Sequence, residues 1–250
     1  WFAVSNINEA VSLRRQGVVR PVLILGYTPP EMAGLLVEQS LTQTVYSGEY
    51  ARALSKESAA RKLTVDCHIK IDTGMSRIGY EPTEESADEV QEIAALPGIA
   101  IEGLFTHFSR ADEADKTFTK GQFEKYMAFV DMLENRGIHI PMRHCSNSAG
   151  IVDMPELNLD AVRAGITLYG LYPSEEVNKA QVPLRPVMEL KSHIAYIKTL
   201  PAGRLISYGG TYETKKELRV ATIPVGYGDG YPRQLSNKGW VLIHGKKAPI

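Results

Sequence analysis

Short apolar runs alternate with helix-like stretches over the first two thirds of the chain, and this alternation limits the possible fold more than any other feature. The predicted strands are Phe2–Val4, Val22–Leu25, Thr44–Tyr46, Leu63–Ile71, Ile99–Thr106, His139–Cys145 and Asn158–Val162. Strands that alternate with helices imply parallel strands joined by crossover helices. Seven of them favour an α/β fold of the (β/α)8 barrel type that lacks its first unit, with an open doubly wound sheet as the alternative.

Local signals mark where several of the intervening helices begin and end. A capping residue with Glu or Gln three positions later predicts helix starts at Asn6, Thr28 and Thr119. Apolar residues recur at helical spacing over 123–133, and Gly137 follows them as the expected C-terminal cap. These signals support helices as the connections between the strands.

The sequence pattern changes from alternating strands and helices to strands alone after Gly170. A polar, loop-like segment there precedes strands separated by turns that contain Gly and Pro. The strands predicted there are Glu189–Ile197, Leu218–Val225 and Trp240–Ile243. We therefore predict a barrel domain at residues 1–175 and a mainly β domain at residues 186–250. Because both ends of the chain are apolar and strand-like, we expect each domain to be incomplete and the chain to be a piece of a longer protein.

Charge and cysteine content exclude several classes of function. The formal net charge is −1, from 28 Lys and Arg against 29 Asp and Glu, which argues against nucleic acid or an anionic membrane as a partner. Cys67 and Cys145 give neither a disulfide framework nor a zinc-binding spacing, so we expect a reducing, cytoplasmic setting and no metal site. No apolar run reaches the length of a membrane span.

Polar residues follow the predicted barrel strands at their carboxyl ends, where barrel enzymes carry their working residues. Residues 70–79 read Lys-Ile-Asp-Thr-Gly-Met-Ser-Arg-Ile-Gly. For an isolated Lys-x-Asp, a salt bridge in an ordinary turn is the commoner explanation. His107 ends the next strand, where a packed, hydrogen-bonded histidine is at least as frequent as a catalytic one.

Two further strand ends carry small residues that suit a phosphate. Residues 146–148 read Ser-Asn-Ser, and simple N-capping explains them nearly as well as anion binding does. The turn after Arg163 contains a glycine, as do many turns that bind phosphate through backbone N–H groups. His144 and Cys145 have no third partner at a suitable spacing, so we discount a nucleophile or a metal site there.

Taken together, and in this order, these segments resemble the alanine racemase family of pyridoxal-phosphate (PLP) enzymes. The motifs Lys-x-Asp-Thr-Gly-Met-x-Arg-x-Gly at 70–79 and Val-Gly-Tyr-x-Asp-Gly-Tyr-Pro-Arg at 225–233 are both specific, and the likeness covers nearly the whole chain. The resemblance implies a barrel followed by a β domain, bound PLP, and a homodimer with shared active sites. It also implies interconversion of L- and D-alanine, an isomerase reaction that supplies D-alanine for peptidoglycan.

The resemblance assigns roles position by position. Tyr227 matches the tyrosine that acts as one catalytic acid/base in the neighbouring subunit's site. Lys70 matches a lysine that is often carbamylated and then orients Arg77, and Arg163 matches the arginine that faces the pyridine nitrogen. The cofactor-binding positions implied are Lys70, Arg77, His107, Ser148, Arg163, Gly165 and Ile166.

The chemistry agrees with these roles. Racemisation removes a proton from one face of the α-carbon and returns it on the other, so two bases must flank the substrate, while PLP makes that carbon acidic. The family's second base is the lysine that holds the cofactor, and its position would precede Trp1. No lysine of the chain stands in the expected context, so we expect residues 1–250 alone to be inactive.

Three alternatives remain open from the sequence. The first is an amino acid decarboxylase of the same barrel class, and the motif around Tyr227 argues against it because such decarboxylases lack that motif. A serine racemase, which in some cases carries a membrane anchor, has a related domain, and alanine and serine differ by only one hydroxyl. A non-catalytic PLP carrier of this barrel class would lack the β domain that we predict from Val187 onwards.

Overall fold

A computed structural model describes residues 1–250, which divide into two compact units, Trp1–Val187 and Met188–Ile250. The strands of the first unit are β1 (Phe2–Val4), β2 (Val22–Ile24), β3 (Leu41–Val45), β4 (Val65–Lys70), β5 (Ile99–Phe105) and β6 (Met142–His144). Its α-helices are α1 (Ile7–Arg15), α2 (Ala33–Glu38), α3 (Gly48–Ala60), α4 (Glu84–Ala94), α5 (Thr117–Asn135) and α6 (Ser148–Asp153).

The six strands form one sheet in which every neighbouring pair is parallel and the spatial order equals the chain order. A doubly wound sheet would reverse direction at a switch point, whereas a (β/α) barrel adds each strand beside the previous one. The sequential order decides between the two folds predicted from the sequence. It also brings the carboxyl ends of all six strands to one edge.

The seventh predicted strand, Asn158–Val162, is wrong as a regular strand. The chain does run beside β6, with an isolated bridge between His144 and Ala161. However, the Asp160 carboxylate accepts the backbone N–H of Arg143 at 2.8 Å and also binds its guanidinium at 3.1 Å. A side chain thus occupies the donor that a strand carbonyl would otherwise use, and the ladder does not extend.

One of the three predicted helix starts is confirmed. The Asn6 side chain accepts the N–H of Glu9, at the start of α1. Thr28 does not cap a helix, because the chain there enters a 3-10 turn at Pro30 before α2 begins. Thr119 lies buried inside α5, which starts two residues earlier. Gly137 has the positive φ of 76° that was expected after α5.

The main apolar core lies between the helices and the sheet. It contains the β2 and β4 side chains Ile24 and Ile69 and, from α5, Phe129 and Leu133. On the sheet's other side, polar groups such as His68 and Lys70 are also buried. Buried polar groups must find hydrogen-bond partners, so this interior is the natural place to look for a site.

The second unit consists of short antiparallel pairs. Its strands are β7 (Tyr196–Leu200), β8 (Leu205–Ile206), β9 (Tyr212–Glu213), β10 (Leu218–Thr222), β11 (Trp240–Ile243) and β12 (Lys246–Pro249). The strand predicted at 240–243 is confirmed. The strand predicted at 189–197 is mostly wrong, because β7 begins only at Tyr196, opposite Thr222. Strand β10, the partner of β7, ends at Thr222. Pro224 follows two residues later and has no N–H with which to extend the pairing. None of the helices combines the length and apolar character needed to cross a membrane.

Candidate active site

Three neighbouring strands end on the same face with Lys70, Phe105 and His144. The register pairs Lys70 with Phe105 and Phe105 with His144, so their side chains lie side by side. The His144 ring stacks on the Phe105 ring with centroids 4.8 Å apart and an interplanar angle of 4°. The Lys70 Nζ and the Arg163 guanidinium carbon lie 5.4 and 5.2 Å from the same ring centroid. Phe105 thus forms the floor of a cationic site.

Arg163 is held by the ends of two strands. Its Nη2 donates to the carbonyl oxygens of Thr106 (2.6 Å) and Cys145 (3.0 Å), and contacts His107 Nδ1 at 3.3 Å. Its Nη1 contacts His144 Nδ1 at 2.6 Å and the His144 carbonyl at 3.2 Å. The Nε–H makes no hydrogen bond, although both terminal nitrogens are engaged. One N–H of a fixed guanidinium therefore remains free to donate to a ligand.

The two histidines that contact Arg163 act as neutral acceptors. Burial lowers the pKa of His107 to about 4, and the Arg163, Arg77 and Lys70 charges add to that effect. Burial and the Arg163 charge lower the pKa of His144 still further. Burial also lowers the pKa of Arg163 to about 10, which leaves the guanidinium charged at neutral pH. The site thus carries a fixed cation whose imidazole neighbours do not repel it.

A group of hydrogen-bond donors surrounds Gly165, which follows Arg163 by two residues in the chain. Ser148 Oγ accepts the Gly165 N–H at 2.9 Å and lies 3.1 Å from Thr167 Oγ1. The Ile166 N–H, at the start of a 3-10 turn, makes no hydrogen bond. Gly165 adds no side chain to this edge. Two hydroxyls, the free Ile166 N–H and the weakly bound Thr167 N–H (3.4 Å from Ser148 Oγ) form a set that suits an oxyanion such as a phosphate.

Lys70 is almost fully buried, with 2% of its surface exposed, and its Nζ donates to the Ile71 carbonyl at 2.7 Å. Burial lowers the pKa of Lys70 to about 7; Asp72 opposes this effect, while Arg163 and Arg77 add to it. A substantial fraction of its amine is therefore neutral at physiological pH. Arg77 lies in the loop that follows, and its exposed side chain makes no hydrogen bond. The loop is closed by backbone hydrogen bonds between Lys70, Asp72 and Tyr80.

Tyr227 belongs to the second unit, where it opens a 3-10 turn and is 61% exposed. The Asp229 carboxylate accepts the Gly226 N–H at 2.9 Å, and Gly230 has a positive φ of 89° that ends the turn. The Arg233 guanidinium carbon lies 5.8 Å from the Tyr227 ring centroid, within the range of a cation–π contact. This arrangement presents a phenol on a tight turn beside a positive charge.

Comparison with known proteins identifies the family. The model of the alanine racemase N-terminal domain matches residues 1–173, and the model of the C-terminal domain matches residues 187–250. The chain belongs to the alanine racemase family. Its fold is accordingly an α/β barrel of the TIM type followed by a β domain.

Relatives with solved structures and curated sequences agree with this assignment. The alanine racemase of Clostridium perfringens (strain ATCC 13124) is 50% identical over 249 residues, which are 100% of this chain and 64% of that protein. The alanine racemase structure from Clostridium difficile 630 has a TM-score of 0.90 and 44% identity, covering 98% of this chain and 64% of that one. The Bacillus anthracis alanine racemase, solved with bound L-Ala-P, has a TM-score of 0.88 and 34% identity, with coverages of 99% and 64%. The chain thus spans less than two thirds of the length of these alanine racemases.

In this family member, the first unit brings Lys70 and Arg163 over one aromatic floor and His107 against Arg163. The group of donors at Ser148, Gly165 and Ile166 follows. Tyr227 is carried by the other unit. Sequence reasoning missed the floor itself, Phe105, and it set His144 aside. It also gave no role to His68, whose Nδ1 lies 2.9 Å from His144 Nε2. The spacing of His68 and Lys70 could have indicated that His68 belongs to the site, because residues two apart in a strand have their side chains on the same face of β4.

Proposed function

We propose that this chain forms the greater part of a PLP-dependent alanine racemase that interconverts L- and D-alanine and so supplies D-alanine for peptidoglycan. The observation that carries the proposal is the geometry of Arg163, whose terminal nitrogens are held by five protein acceptors while its Nε–H stays free. Such a guanidinium presents one directed N–H that cannot transfer its proton. This is the donor that a pyridine ring nitrogen needs in order to be bound and yet remain unprotonated.

The residues around Arg163 fit the rest of the cofactor. Ser148 Oγ and the free Ile166 N–H would hold the phosphate, and the Gly165 N–H would join them by turning from Ser148 Oγ to the bound anion. The bound cofactor supplies an electron sink that makes the α-proton of the substrate acidic. Because Arg163 keeps its proton, it weakens that sink, and the side chains that flank the α-carbon must then do more of the proton transfer.

Lys70 and Arg77 would bind the cofactor on its phenolic side. A buried amine with a pKa near 7 is partly neutral, and a neutral amine adds carbon dioxide to give a carbamate with release of one proton. We propose this modification for Lys70. The resulting negative charge would face the cations of Arg77 and Arg163, which already act on Lys70, and would orient Arg77.

Tyr227 is proposed as one of the two acid/bases, removing or returning the α-proton on one face of the substrate. A positioned tyrosine can transfer a proton through its phenol, and the Tyr227 side chain is 61% exposed on its turn, so its phenol is accessible to a ligand. The lysine expected as the other base matches no lysine of residues 1–250. We therefore propose that this chain by itself does not racemise alanine. Turnover by purified residues 1–250 above a PLP-only blank would contradict that.

Proposed partners are a small amino acid and a second copy of the same protein, in whose site Tyr227 would act. Nucleic acid and membrane lipid are not proposed as partners. The two cysteines are free and buried, which supports a reducing, cytoplasmic setting.

The test uses the full-length protein with PLP and L-alanine in deuterated water, and follows deuterium at the α-carbon together with optical inversion. We expect exchange and inversion to occur together and to be lost in Tyr227→Phe. Tyr231→Phe, four residues along the same segment, is the matched control. Bound PLP without α-carbon exchange would overturn the alanine assignment and point to serine, and then to a carrier function.

A further inference from the structure

A line of buried polar groups extends from Arg163 into the interior of the barrel unit. His144 Nδ1 lies 2.6 Å from Arg163 Nη1, and His144 Nε2 lies 2.9 Å from His68 Nδ1. His68 and His144 are 0% and 2% exposed. The two imidazoles therefore connect the guanidinium to the region of the strands farther from their carboxyl ends.

The direction of these hydrogen bonds is fixed by Arg163. A guanidinium only donates, so His144 must accept at Nδ1 and, being neutral, carries its proton on Nε2. That proton leaves His68 Nδ1 as the acceptor, which places the His68 proton on its Nε2. Burial, together with the Arg163 charge, lowers the pKa of both rings, to about 4 for His68, and this keeps them neutral. Both rings thus point an N–H away from the cation.

The line ends at Glu102, which a strand irregularity brings to this position. In the pairing of β4 with β5, Cys67 faces Ile101 and His68 faces Gly103, so that Glu102 is an extra residue. Such bulges re-aim a side chain. Its Oε1 lies 3.7 Å from His68 Nε2, an ion-pair distance rather than a hydrogen bond, and accepts Thr42 Oγ1 at 2.7 Å. The His68 Nε2 atom has no other partner.

Gly103 makes room for this arrangement. A Cβ atom at Gly103 would lie 2.5 Å from three atoms of the His68 ring. Every other residue type would therefore displace the ring from its place between His144 and Glu102. The glycine and the bulge occupy adjacent positions, and both serve the placement of the same imidazole.

The arrangement addresses an electrostatic problem at Arg163. The guanidinium contacts carbonyl oxygens and imidazoles but no carboxylate. Arg163 is half-buried, and a cation that is partly withdrawn from water without a counter-charge is destabilised. Two imidazoles with their acceptor nitrogens towards the cation and their N–H groups towards an anion supply the compensation through oriented dipoles.

We propose that His68 and Glu102 are positioning residues for Arg163: the carboxylate charge stabilises the Nε2 proton of His68, so that both imidazoles keep the tautomers that accept towards the guanidinium and hold it with its Nε–H free. The catalytic part of this inference rests on the proposed function. The tautomer part does not, because it concerns hydrogen bonds within the first unit alone.

The first measurement is the tautomeric state of the two rings in full-length protein with ¹⁵N-labelled histidine, free of substrate and cofactor. We expect His68 and His144 to be protonated at Nε2 only. In Glu102→Gln the amide oxygen takes the place of Oε1, so it keeps the Thr42 hydrogen bond and still faces His68 Nε2, but the negative charge is lost. We expect both rings to keep their tautomers and the His68 Nε2–H signal to shift. Glu57→Gln is the matched control, because its side chain has the same 33% exposure and pairs with Arg61 at the surface. A proton on Nδ1 of either ring in the native protein, or unchanged ring signals in Glu102→Gln, overturns the proposal.

The second measurement separates positioning from mere packing. His68→Leu removes the acceptor, whereas His68→Asn places an amide oxygen near the former Nδ1. We expect Leu to lower kcat for alanine by about tenfold or more with a smaller change in KM, and Asn to recover most of that loss. Equal kcat values for the two variants overturn the proposal. If His68→Leu does not fold, Glu102→Gln serves in its place, and an unchanged kcat there overturns it. A native protein that does not racemise alanine contradicts the proposed function and leaves the tautomer result to decide the positioning network.

Discussion

The Asp72 carboxylate holds the loop that carries Arg77. Its Oδ2 accepts the backbone N–H of Arg77 at 3.1 Å. Its Oδ1 accepts three further backbone N–H groups, each at 2.9 Å, from Gly74, Met75 and Ser76. One side chain therefore satisfies four donors in a row, and the conformation of this loop depends on it.

Replacing Asp72 with alanine should loosen the loop without unfolding the barrel. Four donors lose their acceptor but can turn to water, so we expect a loss of about 1–2 kcal/mol in the free energy of unfolding. Urea titration measures that loss, and trypsin cleavage after Arg77 measures the local opening, which we expect to accelerate. Asp131→Ala, an exposed position on α5, is the control. Equal cleavage rates in the two variants would show that Asp72 does not hold the loop.

Gly103→Ala should displace the His68 ring, because the new Cβ would lie 2.5 Å from it. We expect a destabilisation of about 1–3 kcal/mol and a fall in kcat of the full-length protein. Gly121→Ala in α5 is the matched control, since nothing lies within 4 Å of a Cβ at that position. It should be neutral or stabilise the protein by up to about 1 kcal/mol. Denaturant midpoints of the two variants check both expectations, and a neutral Gly103→Ala contradicts the close approach.

The sequence predicts much of the first unit because each strand is a local pattern. Strand β1 matches its predicted bounds, and β5 matches to within one residue. The errors arise where a side chain replaces a backbone partner, as Asp160 does at Arg143, or where a proline near the end of a partner strand limits pairing, as Pro224 does for β10. Such events depend on which segments become neighbours, and spacing along the chain does not contain that information.

The same limit applies to the site. Motif resemblance singles out Lys70 and Arg163, yet the floor between them is Phe105, which in the sequence is one more apolar residue at the end of a strand. In the sequence, nothing distinguishes His68 from an ordinary core histidine. Its role becomes visible only in the strand register, which places Gly103 opposite to it. Cross-strand register, and above all a bulge, is set by the assembled sheet.

Lys70 should make stability depend on pH above neutrality. Its folded pKa of about 7 lies below the value of 10.5 for a free lysine, so between these pH values the unfolded chain binds more protons than the folded one. The free energy of unfolding should therefore rise as pH increases through this window. Urea titrations from pH 7 to 10 in carbon-dioxide-free buffer test the slope.

In Lys70→Met that contribution to the slope should vanish, while Lys56→Met, at an exposed position of α3, should keep it. Added bicarbonate should flatten the slope of the native protein if Lys70 forms a carbamate, because the amine is then consumed. An identical slope in Lys70→Met and the native protein would show that the lysine titrates normally.

The buried histidines should cause loss of stability on the acid side. His68 and His107 have folded pKa values of about 4, below the ordinary value of 6.5, and burial is the main cause for both. Between pH 6.5 and 4 the unfolded chain therefore binds protons that the folded chain excludes, and the free energy of unfolding falls as the pH falls through this window. Below about pH 4 these two residues contribute no further pH dependence.

His107→Gln tests this account, because glutamine keeps a side-chain acceptor near Arg163 and does not titrate. We expect the variant to lose less stability than the native protein between pH 6.5 and 4.5, measured by urea unfolding at constant ionic strength. In the native protein, the ring signals of His68, His107 and His144 should remain mainly those of the neutral imidazole down to pH 5. If any of the three titrates between pH 6 and 7, that ring is not held neutral, and the arrangement of neutral acceptors around Arg163 is wrong.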